Sequence, residues 1–119
     1  MVWNVEYTDE FYAWWLTLDH SEQESIAASV GLLETVGPQL GRPHADTIEG
    51  SKHANMKELR TQHDGRPYRT FFAFDPRRSA ILLIGGDKTG DKQFYLRMIP
   101  EADRLYDEHL DELRREGLI

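Results

Sequence analysis

The chain has 119 residues, 39% of them hydrophobic and 11% aromatic, and its formal net charge is −7. This length supports one compact core, so we expect a single globular domain over residues 1–119. The absence of cysteine excludes disulfide frameworks and cysteine-based zinc sites. Without a long apolar run or a signal-like N-terminus, we expect a cytoplasmic protein that does not span a membrane.

The first third of the chain predicts a short strand and then two helices. Residues 2–7 are β-branched and aromatic, and Thr8 before two acidic residues favours a helix start. Apolar residues then recur at helical spacing. We expect the second amphipathic helix to follow a capping box of Ser21 and Glu24, and the Gly-Pro pair at 37–38 to end it.

The rest of the chain predicts a loop, a sheet and a helix. Residues 37–55 show no sustained period and are expected to form a loop. Two β-type runs flank Asp64-Gly65, and a turn at 75–77 precedes the apolar run 80–84, which predicts a three-stranded meander. An apolar stripe from about residue 91 to 113 predicts a C-terminal helix, which Pro100 should kink or restart.

These elements predict an α+β fold with a compact sheet and helices on one of its faces. Strand alternation gives one apolar sheet face for the two N-terminal helices to cover, and leaves the other face open. The residues predicted on the covered face are Leu59, Tyr68, Thr70, Phe72, Phe74, Ile81 and Leu83.

Positive charge is concentrated in the predicted sheet. Residues 42–97 hold eleven Lys and Arg against seven Asp and Glu, whereas residues 1–41 hold no Lys or Arg and seven acidic residues. A protein this acidic is not suited to coating nucleic acid unaided. The segregation nevertheless allows a local anion site on the sheet.

Strand register predicts where the cations meet. A two-residue turn at Asp64-Gly65 places Arg60 directly opposite Arg69, where like charges destabilise a sheet. A two-residue turn at 76–77 then places Ile84 opposite Arg69. Lys88 follows four residues later in the chain, so it can approach the same site. Either an anion lies between the two arginines, or Glu58 and Asp87 neutralise them.

Other familiar chemistry is missing from the sequence. The turn GGDKTGDK does not continue as the phosphate loop requires, because Asp91 and Lys92 follow its last glycine. The five histidines show no zinc spacing, and no G-x-S-x-G nucleophile motif occurs. The sequence therefore predicts neither a metal site nor a cofactor.

Three motifs together resemble the RelE/ParE toxin superfamily, in particular its phage-derived, HigB-like branch. They are ELR at 58–60, RPYRTFFAFD at 66–75 and GGDKTGDKQFY at 85–95. The resemblance implies a toxin of a type II toxin–antitoxin module that acts as a ribosome-dependent mRNA endonuclease. It also implies three partners: the ribosome, mRNA, and a small antitoxin, expected to be a helix-turn-helix protein.

The resemblance also assigns residues. It implies catalytic roles for Arg60, Arg69, Lys88 and Tyr95, and phosphate or RNA contacts for Lys57, Arg66 and Lys92. In the implied metal-independent reaction, Tyr95 or Lys57 is the base, Lys88 is the acid, and the two arginines stabilise charge. Glu58 departs from the pattern, because some members have a lysine there.

Two other functions remain open at this point. A ParE-like toxin of the same fold would inhibit DNA gyrase and would not require the cation cluster. A non-catalytic module that only binds an antitoxin would suit the acidic balance of the chain.

Overall fold

A computed structural model describes residues 2–119 as one five-stranded sheet with helices on both faces. In chain order the elements are β1 (Val5–Tyr7), α1 (Asp9–Leu16), α2 (His20–Val36), a short 3-10 helix (Gly37–Gln39), β2 (Ala45–Thr47), β3 (Lys57–His63), β4 (Arg66–Phe74), β5 (Ala80–Asp87) and α3 (Phe94–Arg115). Between Val2 and Ile119, none of the helices combines the length and apolar character that a membrane crossing requires.

The sheet order is β1-β5-β4-β3-β2. β3, β4 and β5 form the predicted antiparallel meander at its centre, and β1 pairs in parallel with β5 at one edge. The predicted α+β class and element order are confirmed. The prediction of an unbroken loop over residues 37–55 was wrong, because β2 forms there and pairs with β3 at the other edge.

The two N-terminal helices begin at side-chain caps. Thr8 caps α1 as predicted, since its hydroxyl accepts a hydrogen bond from the Phe11 amide at 3.0 Å. The capping box of α2 lies two residues earlier than predicted. Asp19 accepts from the Glu22 amide and the Glu22 carboxylate accepts from the Asp19 amide, each at 2.8 Å. Asp19 takes the position because Ser21 already lies inside the first helical turn.

The hairpin between β3 and β4 has the predicted register. Asp64 and Gly65 both have positive φ, 49° and 75°, as a two-residue hairpin turn of the primed type requires. Arg60 and Arg69 are therefore directly opposite each other, as predicted.

The register between β4 and β5 differs from the prediction. Residues 75–79 form a longer turn than expected, held by Asp75, whose carboxylate accepts from the Arg77 amide at 2.8 Å. A bulge follows, since Phe71 pairs with Ile84 whereas Phe72 pairs with Leu82. The turn and the bulge together place Gly86 opposite Arg69, and the predicted pairing with Ile84 was wrong.

The sheet separates two hydrophobic clusters. Phe72, Tyr68 and Leu59 pack on the side of α1 and α2 as predicted. Ile81 and Leu83, predicted on that side, pack with α3 instead, because the longer turn shifts β5 by one residue. The expectation of helices on one face was therefore wrong.

The C-terminal helix covers much of the sheet face that was expected to be open. Its inner side carries Phe94, Met98, Ala102, Leu105 and Tyr106 into the second cluster. The helix runs through Pro100 without a restart, and Leu96, whose carbonyl loses its usual partner there, is 75% exposed and can be hydrated.

Candidate functional site

The candidate site is built around two arginines and one glutamate on the face of the sheet that α3 covers. Glu58 lies two residues before Arg60 on β3, so both side chains point to this face, where Arg69 joins them from β4. One oxygen of Glu58 lies 3.4 Å from Nε of Arg69, and the other lies 3.8 Å from Nε of Arg60. Glu58 therefore lies between the two cations, as one of the two predicted alternatives required.

Arg69 is held deep in the sheet. It is 5% exposed, and its Nη1 donates to the Tyr68 carbonyl at 3.0 Å. Arg60 is more accessible, with 31% of its side chain exposed. One carboxylate faces two guanidinium groups here, so the cluster retains positive charge that an anion can neutralise.

Tyr95 brings α3 into this cluster. Its hydroxyl donates to Glu58 at 2.5 Å and lies 3.4 Å from Nε of Arg69. Burial and the hydrogen bond to Glu58 raise the pKa of Tyr95 above its ordinary value of 10.0, although Arg69 acts in the opposite direction. At neutral pH Tyr95 is therefore a protonated donor, and it is poorly suited to act as a base.

Lys88 reaches the same cluster from the turn after β5. Its amide donates to the Pro67 carbonyl at 3.0 Å, and its Nζ lies 5.1 Å from the centre of the Tyr95 ring. The glycines before it serve packing, because Gly85 lies against the Trp14 ring and Gly86 against Phe94. The two glycines of the motif GGDK thus let helices pack closely on both sides of β5, and the motif ends with Lys88 beside Tyr95.

A groove gives access to the arginines along the outer edge of β3. β2 pairs with β3 only as far as Leu59, and within residues 2–119 no strand pairs with the outer edge of 61–63. The groove is lined by Ser25, Ala28, Ser29, Pro43, His44, Arg60, Thr61, Gln62 and Arg69. An extended polar chain can therefore approach Arg60 and Arg69 from this edge.

Three predicted contact residues lie away from the cluster. Lys57 points to the opposite face and donates from Nζ to the Pro38 carbonyl at 3.0 Å. Arg66 also lies on that face, 3.4 Å from Glu22 and 3.5 Å from Asp87. Asp87 consequently does not neutralise the arginine pair. Lys92 is exposed in the turn before α3.

From the sequence, Glu58 was expected at most to neutralise the arginines, and it was given no catalytic role. Its position could have been inferred, since Glu58 and Arg60 are two residues apart on one strand and must share a face. The pairing with Tyr95 could not, because it depends on how α3 packs across the sheet.

Two solved structures share this fold. The Escherichia coli toxin RelE, in the free state of a double mutant, has a TM-score of 0.58 at 9% identity, over 79% of this chain and 92% of that one. RelE in the RelE–RelB complex of Pyrococcus horikoshii OT3 has a TM-score of 0.55 at 13% identity, over 76% of this chain and 99% of that one. At these identities the likeness concerns the fold alone, and it is RelE-like.

The chain belongs to the Gp49-like family of phage-derived proteins, whose model matches residues 13–107. The candidate toxin HigB2 of Mycobacterium tuberculosis is 44% identical over 110 residues, which is 91% of this chain and 54% of HigB2. The candidate toxin HigB3 of the same organism is 47% identical over 92 residues, 76% of this chain and 79% of HigB3. The predicted HigB-like relation is confirmed, although the chain spans only about half the length of HigB2.

Proposed function

We propose that this protein is the toxin of a type II toxin–antitoxin module and that it cuts mRNA bound to the ribosome. The relation to HigB2 and HigB3 supports the toxin assignment. The observation that carries the chemistry is the pair Arg60 and Arg69, held opposite each other on rigid strands with Glu58 between them.

The reaction is an intramolecular transfer at one phosphate of the RNA. The ribose 2′-oxygen attacks the adjacent phosphorus, and the bond from phosphorus to the 5′-oxygen breaks. A base removes the 2′-proton, and an acid supplies a proton to the leaving 5′-oxygen. The products are a 2′,3′-cyclic phosphate, or the 3′-phosphate formed from it by water, and a 5′-hydroxyl. No metal or cofactor takes part in these steps.

Glu58 is the base in this proposal. Lys57, one of the two bases predicted from sequence, points to the other face of the sheet. Tyr95, the other, has a raised pKa and donates to Glu58. An incoming phosphate takes over donors of Arg60 and Arg69, and the Glu58 carboxylate then accepts the 2′-proton while Tyr95 holds it in place.

The cations stabilise the charge that develops on the phosphate. Arg60 and Arg69 bind the non-bridging oxygens, where two fixed guanidinium groups favour the transition state over the ground state. Lys88, whose ammonium lies over the Tyr95 ring, donates the proton to the leaving 5′-oxygen. Lys92, at the exposed turn beside it, contacts the RNA backbone.

The net charge of the chain supports the ribosome and mRNA as proposed partners, and a solved complex of the same fold supports an antitoxin. With a net charge of −7, the protein binds free RNA weakly, and the ribosome supplies the positioned mRNA. An antitoxin partner is proposed because a RelE of the same fold was solved with RelB. We expect this antitoxin to be a small helix-turn-helix protein.

The test is mapping of RNA 5′-ends after the protein is added to a reconstituted translation reaction. We expect new 5′-hydroxyl ends inside the reading frame when ribosomes are present and none when they are omitted. Intact mRNA under both conditions would contradict the proposal. Cleavage that does not require ribosomes would contradict the ribosome-dependent step.

One observation favours a second function, a non-catalytic module that only binds an antitoxin. The carboxylate of Glu58 already occupies the space between the two arginines. If this ion cluster serves stability alone, transcripts stay intact while an antitoxin complex still forms, so the same reaction separates the two functions.

A further inference from the structure

An apolar groove lies on the side of the sheet away from Arg60 and Arg69. We call it the aromatic groove. It is formed by α1, α2 and the edge strand β1, and it is lined by Val5, Tyr7, Phe11, Tyr12, Trp15, Ala27, Val30, Glu34 and Leu82. None of these residues has a part in the proposed reaction.

The wall of the aromatic groove exposes large rings. Tyr7 is 59% exposed and Tyr12 is 47% exposed, and their rings stack with centroids 6.0 Å apart. Phe11 packs beneath them, 6.1 Å from Tyr7, and is itself buried. Exposed aromatic rings on a rigid base are typical of a protein-binding surface, since they bury much area at little entropic cost.

The surroundings of the aromatic groove are strongly acidic. Residues 1–41, which supply both helices and β1, contain seven Asp and Glu and no Lys or Arg. Glu34 lines the groove itself, and Asp9 and Glu10 lie in the first turn of α1 beside Tyr7. A partner that fits this surface therefore carries apolar side chains with positive charge around them.

We propose that the aromatic groove binds a basic amphipathic helix of the antitoxin. This inference rests on the proposed function, because it requires an antitoxin. A groove between two helices accepts a third helix through apolar anchors at positions i, i+3 or i+4, and i+7. Lysine and arginine beside those anchors face Glu34, Asp9 and Glu10.

The position of the groove separates binding from catalysis. Val30 packs against the cluster on the α1 and α2 side of the sheet and Tyr12 lines the groove beside it, whereas Glu58 and Arg69 contact Tyr95 of α3 on the other side. A substitution at Tyr12 therefore changes antitoxin binding without changing the catalytic residues. The toxin would stay active and escape neutralisation.

The experiment uses the product of the reading frame adjacent to the toxin gene as the antitoxin. Its affinity is measured for the wild type, for Tyr12→Asp and for the control Leu96→Asp, another exposed apolar residue, which lies on α3. We expect Tyr12→Asp to bind about 30-fold more weakly or worse, as for a central interface residue. Leu96→Asp should bind as the wild type does, and circular dichroism should show both variants folded.

A second pair of variants tests the charge. Glu34→Lys in the groove should weaken binding more than Glu49→Lys, at an exposed position in the loop between β2 and β3 that does not line the groove. Glu34→Lys should also reduce the loss of affinity that added salt causes. Equal effects of the two reversals would contradict a specific role for the groove.

The outcomes distinguish this inference from the proposed function. If the adjacent gene product does not bind the wild type, the toxin–antitoxin assignment fails and the inference fails with it. If it binds the wild type and Tyr12→Asp equally well, the inference alone fails. A toxin dimer that Tyr12→Asp dissociates would assign the groove to a second copy of this chain, and would also overturn the inference.

Discussion

Tyr95 donates its hydroxyl proton to Glu58 across 2.5 Å, and this hydrogen bond joins the first turn of α3 to the middle of the sheet. Glu58 is 6% exposed, so its carboxylate needs partners inside the protein. Arg69 and Arg60 supply positive charge at 3.4 Å and 3.8 Å, and Tyr95 supplies a hydrogen bond. The same contacts therefore contribute to stability and place the proposed base.

The first prediction concerns the Tyr95 hydroxyl. Tyr95→Phe keeps the ring, which packs against Phe71 and Phe94, and removes one donor from Glu58. We expect a loss of about 1–2 kcal/mol in the free energy of unfolding. Cleavage in the ribosome reaction should fall about 10-fold, because Glu58 loses its orientation. Unchanged cleavage by Tyr95→Phe would show that the hydroxyl has no positioning role.

The second prediction concerns the Glu58 charge. Glu58→Gln keeps the shape of the side chain and removes the proposed base, so cleavage should fall about 100-fold or more. Glu108→Gln, on the exposed side of α3, is the matched control and should cleave normally. If Glu58→Gln is folded and cleaves as the wild type does, Glu58 is not the base.

The third prediction concerns pH and a buried carboxylate remote from the site. The Asp75 side chain is 0% exposed, and it accepts hydrogen bonds from Arg77 at 2.8 Å and from His109 at 2.9 Å. Burial alone would raise the pKa of Asp75, but these donors hold the pKa below its ordinary value of 3.8. The ionised form is therefore favoured by folding.

The sign of the pH effect follows from that lowered pKa. The stability that Asp75 contributes is fully present above the unfolded pKa and is lost as pH falls through the lower folded pKa. Asp75→Asn should cost about 3 kcal/mol near neutral pH. Urea unfolding of wild type and variant should show the difference in unfolding free energy shrinking as the pH drops below 3.8, the ordinary pKa of an aspartate. A difference that is constant with pH would contradict the ion-pair account.

The fourth prediction contrasts two glycines. A Cβ at Gly85 would overlap the Trp14 ring, so Gly85→Ala should destabilise the protein by about 1–3 kcal/mol. Gly31, inside α2, has no heavy atom within 4 Å of such a Cβ, so Gly31→Ala should stabilise it by about 0.5–1 kcal/mol. Urea unfolding measures both. Equal effects of the two substitutions would contradict the packing of α1 against β5.

The sequence was sufficient for the parts of the fold that local chemistry controls. Asp64-Gly65 suits the positive φ angles of a two-residue turn. Counting residues outward from that turn along both strands therefore places Arg60 opposite Arg69. The turn before β5 was different, because Arg78 adopts a positive φ of 67° there without being glycine. The side chain of Asp75 stabilises that turn, and no simple motif reveals it.

The depth of Arg69 was also beyond sequence reasoning. With the cation face expected to be open, Arg69 would be a surface residue, whereas α3 covers it and it is 5% exposed. Removing it would leave Glu58 buried without its nearest cation, at a cost of about 3–5 kcal/mol. Arg60, with its exposed guanidinium and looser contact to Glu58, gives a cleaner variant.

The most direct test of the central claim compares Arg60→Ala with Arg104→Ala in the ribosome reaction, with cleavage measured by 5′-end mapping. Arg104 is a matched control, since it is an exposed arginine that pairs only with Glu101 and Glu108 among the described residues. We predict that Arg60→Ala remains folded and cleaves about 100-fold less, because it loses charge stabilisation at the phosphate, while Arg104→Ala cleaves normally. Equal cleavage by the two variants would contradict a catalytic site built on the arginine pair.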